Sequence, residues 1–315
     1  VDTEPATLPL DLFAASRAVA YLATLTLVGA CAFVALIPRW RDPADDEHSL
    51  AARSLARAWR LAGVAAFLLL LADLGRGVGQ LQSFLDPGEP MSWAAARPML
   101  IDSAWGHGWL AQLATTTVAL LLILVVTRRP ALRLALAGTA VLAVVGSTPL
   151  TGHAGEHPWG ASFGIGLHAV HLLGGGLWLG TLTTLAVAAL PLVGGPAGGP
   201  PGDHGALARL VGAFSPLALV GATLAIGAGL VLGYAYVGSL SALTSTVYGR
   251  ALLVKSALLL LTMALGAWNW RRVSPTLGRA EGSARLRRSA TVELVIGLLL
   301  VATTAVLVAL PAPGL

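Results

Sequence analysis

Long apolar runs separated by short polar links dominate this chain. Eight of them, at roughly 10–37, 59–79, 107–127, 131–150, 162–191, 207–236, 249–270 and 289–311, have the ~20 residues a bilayer crossing needs. The runs are continuous and do not alternate polar with apolar, so they do not read as barrel strands. In lipid the backbone must satisfy its own N–H and C=O groups, so each run is predicted to be a helix. The expected fold class is all-α, a polytopic membrane helix bundle of about eight transmembrane helices forming one domain over residues 1–315. No cleavable signal peptide is expected, because the first run follows Asp2 and Glu4 and is too long for a signal core.

Composition agrees with the pattern. Charged residues make up 11% of the chain, against about 25% in soluble domains, and mean hydropathy is +0.77. The net charge of +5 is not a nucleic-acid signal, since the arginines sit at helix ends and no basic stripe interleaves with aromatics. It is topological instead. Arg39, Arg41, Arg53, Arg57 and Arg60 follow the first run, and Arg128, Arg129 and Arg133 lie between the third and fourth. Arg271, Arg272, Arg279, Arg285, Arg287 and Arg288 lie between the last two, whereas the opposite links hold only Arg76, Arg97 and Arg250. The positive-inside rule predicts that the arginine-rich links are cytoplasmic and that both termini face outward. The link at 194–205 is nearly chargeless and contributes little to this orientation. Cys31, the single cysteine, lies in an apolar run and reads as a core residue.

Of seven histidines, His48 and His204 fall in links predicted to be inward and read as solvated. The other five map to the outward half. His107 opens the third helix, His153 and His157 lie in the link 151–158 beside Glu156, and His168 and His171 lie in the fifth helix, about 9 and 13 Å below its start. Three residues apart, His168 and His171 share one helix face, which continues toward Trp178. Intramembrane ionisable side chains mark functional sites, and neutral imidazole is the commonest metal ligand. A site built from His153, His168 and His171, with His157 or His107 added, suits Cu(II) or Zn(II). Met99 or Met91 from the link 80–106 would favour Cu(I). Asp73, Lys255 and Arg17 are the other charges inside spans. Lys255 either snorkels outward or pairs with Asp73, and Glu293 reads as interfacial.

The run Thr151-Gly152-His153-Ala154, then His168 and His171 followed by Leu-Leu-Gly-Gly-Gly-Leu-Trp178-Leu-Gly180, resembles the copper-resistance protein D family. So does Tyr248 to Lys255, continuing to Ala267-Trp-Asn269-Trp-Arg271. The likeness covers nearly the whole chain. It implies a multi-pass protein of the bacterial cytoplasmic (inner) membrane that handles copper, usually by uptake, with an eight-helix core and no enzymatic chemistry. His153, His171, Trp178, Lys255 and Asn269 match the family pattern. His168 stands where an acidic residue is more usual, and His157 and His107 are additions to it.

The function expected is therefore copper binding at an outward histidine site with passage to the cytoplasm. The expected partners are the copper ion, the lipid bilayer and an extracytoplasmic copper chaperone, with no nucleic acid. The alternatives are a haem b protein using an axial histidine and a copper metallochaperone or assembly factor without transport. A membrane metalloenzyme stays open as a further alternative, although no His-Glu-x-x-His motif occurs.

Overall fold

A computed structural model of the chain describes residues 12–85, 90–126, 128–193 and 203–314, without the side chains of residues 12–14 and 153. Among these residues the main helices are α1 (Leu12–Trp40), α2 (Leu50–Phe84), α3 (Trp93–Ile101), α4 (Ala104–Val125) and α5 (Pro130–Ser147). They continue with α6 (Ala161–Leu192), α7 (Asp203–Val237), α8 (Val247–Thr276) and α9 (Ala280–Ala309). All but α3 are long and apolar enough to cross a membrane, so the eight predicted spans are present. Most of the link at 194–205 lies outside the described residues.

Several helices outrun their apolar stretch, because a helix satisfies its own backbone in water as well as in lipid. α2 begins at Leu50, capped by the Ser49 hydroxyl, which accepts from the Ala52 N–H at 3.2 Å. Arg53, Arg57 and Arg60 therefore lie on its first turns rather than in a loop. Arg285, Arg287 and Arg288 likewise lie on α9. The link 80–106 contains the short helix α3, which starts at the cap Ser92.

The arginines at this end also close helices. Arg209 donates to the Trp40 carbonyl at the end of α1 at 3.1 Å, and Arg287 to the Leu190 and Val193 carbonyls at the end of α6. Arg133 donates to the Ile123 carbonyl near the end of α4. Each bonds a carbonyl at or near the end of a helix and places a cation at the negative end of a helix dipole. Arg53 pairs with Asp203 at 2.8 Å, tying α2 to the start of α7.

α1 is the central post. Leu27 and Phe33 are fully buried on it, and α2, α5, α6, α7 and α9 all pack against it. Where α1 crosses α6, Gly29 meets Gly180 so closely that a Cβ on either would overlap the other helix's backbone. Association in lipid depends on such close packing rather than on hydrophobic burial. α6 carries widened π-helical turns at Gly176–Gly180 and Leu185–Ala189, and α8 has another at Asn269–Val273. Such turns concentrate at functional sites.

Three expectations about charges are corrected. Asp73 is fully buried and pairs with Arg76 at 3.7 Å, one turn along α2, not with Lys255. Arg76, read as a link residue, is itself buried because α2 continues to Phe84. Glu293 is also buried rather than interfacial, because α9 starts early enough to carry it into the bundle.

Candidate functional site

A cavity of about 590 Å³ lies between α1, α6, α7, α8 and α9. Its mouth is at the end of the bundle away from the arginine-rich links, bordered by Gly152, Ala154 and Ser239, and its wall reaches Trp178 and Leu300. Among the described residues, His168, His171 and Lys255 line it, as do Arg17 and Arg76, while no Asp or Glu does. The shared face predicted for His168 and His171 is thus the face turned to the cavity.

Both histidines are held the same way. His171 Nδ1 is 2.6 Å from the Ala225 carbonyl of α7, and His168 Nδ1 is 2.9 Å from the Gly164 carbonyl one turn back on α6. A carbonyl only accepts, so each Nδ1 carries the proton and donates. At His171 this leaves the lone pair on Nε2. This second-atom anchor fixes the tautomer and ring orientation a metal-ligating histidine needs. The contact to Ala225 depends on a tight crossing. At Gly174 of α6 a Cβ would fall 2.6 Å from the Gly221 carbonyl, and at Gly229 of α7 one would fall 2.9 Å from His171 Cε1. The small residues Gly221, Ala225 and Gly229, spaced four apart, make one face of α7.

The other predicted residues fall in different surroundings. His153 lies on a 3-10 turn, His153–Glu156, between the cavity-lining Gly152 and Ala154; its side chain lies outside the described residues. Glu156 on the same turn is exposed. His157 is buried in an aromatic cage of Trp159, Phe163 and Tyr236, with ring centroids 5.3, 5.4 and 5.7 Å away. Its Nδ1 accepts the Trp159 N–H at 3.2 Å, which puts the proton on Nε2, the opposite tautomer to His168 and His171. Tyr236 stands between them, also 5.7 Å from the His168 ring, and lines the cavity. His107 is exposed on the first turn of α4, and Met99 is buried in α3. Among the described residues, no three His, Cys, Asp or Glu side chains stand close enough to share a metal ion. The outward set therefore comes together only as the His168–His171 pair beneath the His153 turn. Away from this end, His48 is exposed, His204 is half-buried and bonds the Ser283 hydroxyl at 2.8 Å, and Cys31 is buried in the core.

Sequence reasoning passed over the network that supports the mouth. Arg76 donates to Gln112 Oε1 at 2.9 Å and to the Thr151 hydroxyl, and the Thr116 hydroxyl donates to Asp73 at 3.0 Å. The Trp109 indole donates to the Asp73 carbonyl at 2.7 Å. This network joins α2, α4 and the turn before His153. Its signal in the sequence is an Asp and an Arg three apart in an apolar helix. Lys255, on α8, has no ion pair or hydrogen bond among the described residues, and it lines the cavity together with His171.

Comparison with known proteins adds the following. The family described as Copper resistance protein D matches residues 208–307, and the one described as Copper resistance protein D-like, N-terminal domain, matches residues 8–161. The copper transport protein CutJ of Bacillus subtilis (strain 168) is 28% identical over 308 residues, 95% of this chain and 53% of the relative. The chain thus spans about half the length of that curated relative. No solved structure matches.

Proposed function

Since the chain belongs to the copper resistance protein D family, we propose that it binds copper through His171 and His168 in the outward-facing cavity and passes it toward the arginine-rich, cytoplasmic end of a single eight-helix unit. The observation that carries this reading is the Nδ1 anchor of His171, which leaves its Nε2 lone pair at the cavity wall that His168 also lines. His153, on the turn at the mouth, is the third ligand of the proposed site, and the outward end receives copper from an extracytoplasmic chaperone. The protein resides in the bacterial cytoplasmic membrane and acts as a carrier rather than an enzyme. Copper transport in the relative CutJ supports the cargo. Three nitrogen donors suit copper in either oxidation state, while no cysteine or methionine among the described residues lines the cavity, which disfavours a purely soft site.

A second reading has one observation in its favour. A cavity of about 590 Å³ falls in the range of roughly 300–1,000 Å³ typical of organic ligands, and haem b with an axial His171 would use the same free Nε2. Metal analysis with a visible absorption spectrum of the purified protein separates the two. Bound copper without a Soret band supports the copper reading, and a Soret band that disappears in His171→Ala replaces it with haem.

A further inference from the structure

Below the cavity, the described residues of the inner half show no ladder of His, Met or Cys, yet besides the ion-paired Asp203 they hold a second buried acid. Glu293 of α9 is 5% exposed, and the Asn269 amide of α8 donates to its Oε1. Asn269 Oδ1 is buried with no hydrogen-bond partner. Asn269 opens the π-helical turn of α8. Glu293 lies seven residues from the cavity-lining Leu300, about 10 Å along the helix. Between them lies Gly297, where an added Cβ would stand 3.4 Å from the Leu179 side chain of α6. The helices packed on α9 are α1, α6, α7 and α8. Among the charged side chains around it, Lys255 of α8 lines the cavity, Asp203 of α7 pairs with Arg53, and Arg285 and Arg288 of α9 line a separate pocket beside Trp268. Arg272 lies over the Trp268 ring, Arg209 bonds the Trp40 carbonyl and Arg17 lines the cavity, while Arg271 is exposed. On α9 itself Arg287 bonds α6 carbonyls. The pair Glu293–Asn269 thus forms a polar station of oxygen and amide between the cavity floor and the arginine-rich end.

An uncompensated carboxylic acid in a membrane bundle is costly, and such groups mark ion or proton paths. Oxygen donors suit a proton better than they suit soft Cu(I). Resting on the reading of copper passage above, we propose that Glu293 is a proton-exchange station, giving up one proton as one Cu(I) passes. A cation entering from the cavity favours the ionised form of a nearby carboxyl. The neutral acid releases its proton toward the cavity, and the carboxylate balances the charge of the copper ion. When copper moves on to the arginine-rich side, the carboxylate takes a proton from that side. The cycle is electroneutral and moves one proton out for each Cu(I) in.

The test uses the purified full chain in sealed vesicles with Cu(I) supplied outside, reading copper accumulation and a pH-sensitive dye together, with equilibrium copper binding measured in parallel. The parent is expected to move protons outward as copper enters. Glu293→Gln keeps the shape and the partner Asn269. It should retain copper binding at the cavity, lose the copper-driven proton signal, and accumulate copper about tenfold more slowly or worse, since an unbalanced cation then crosses a low-dielectric region. Glu293→Asp, which keeps a carboxyl, should retain the proton signal and guards against a folding defect in the Gln variant. Copper entry in the parent without proton movement overturns the proposal, as does a Glu293→Gln variant with the parent's proton signal. If the parent binds copper but accumulates none, passage itself fails and the station falls with it, while the cavity site stands.

Discussion

His171 reaches across from α6 to place Nδ1 2.6 Å from the Ala225 carbonyl of α7. That one contact fixes which imidazole nitrogen faces the cavity, and it depends on α7 having no side chain at Gly229. Gly229→Val is therefore expected to displace the His171 ring without removing any ligand. Outer-shell changes of this kind cost metal sites about 10–100-fold in affinity, and copper titration should show a loss in that range. Gly227→Val, where an added Cβ meets nothing within 4 Å, should bind copper like the parent. Equal behaviour of the two variants would detach the Ala225 anchor from metal binding.

The buried pair Asp73–Arg76 gives a stability prediction. Asp73→Asn leaves Arg76 without its charge partner, which costs about 3–5 kcal/mol by soluble-protein precedent. Asp73→Asn combined with Arg76→Met should cost less than the sum of the two. Asp73→Asn combined with Lys255→Met should instead add within about 0.5 kcal/mol, because no contact joins them. Denaturant unfolding in detergent measures both cycles. Strong coupling between Asp73 and Lys255 would contradict the pairing described above.

The spans and the cavity-facing histidines were legible in the sequence for physical reasons. Lipid leaves an apolar run little choice but a helix, and a spacing of three forces His168 and His171 onto one face. What the sequence left open depended on contacts between helices. Asp73 has an arginine three residues away, but Arg76 looked like a link residue until α2 was seen to continue past it. His157 lies near the other histidines in sequence, yet Trp159, Phe163 and Tyr236 close around it and select the opposite tautomer. Glu293 looked interfacial because the apolar run begins just before it, whereas the helix begins at Ala280. In each case the helix boundary or the packing partner, rather than the residue type, decided the role.

Orientation follows from the arginines. A reporter fused in the link at Arg279 should read cytoplasmic, and one fused after the C-terminus should read external. The reverse result would turn the cavity toward the cytoplasm and make the proposed direction of copper movement export.

Proton competition offers a further check on the ligands. A ligating imidazole must be unprotonated, so copper binding is complete above the histidine range and is lost as pH falls through it. Copper retention at pH well below that range, measured by metal analysis after equilibration, would point to ligands other than His168 and His171.

The most direct measurement is equilibrium copper titration of the parent beside His171→Ala, with His48→Ala as a control at an exposed position outside the cavity. Copper binding through His171 Nε2 predicts that His171→Ala loses about a hundredfold or more in affinity, beyond the usual cost of an outer-shell change, while His48→Ala matches the parent. If His171→Ala binds copper as tightly as the parent, the cavity histidines are not the copper site and their contacts serve only to hold α6 against α7.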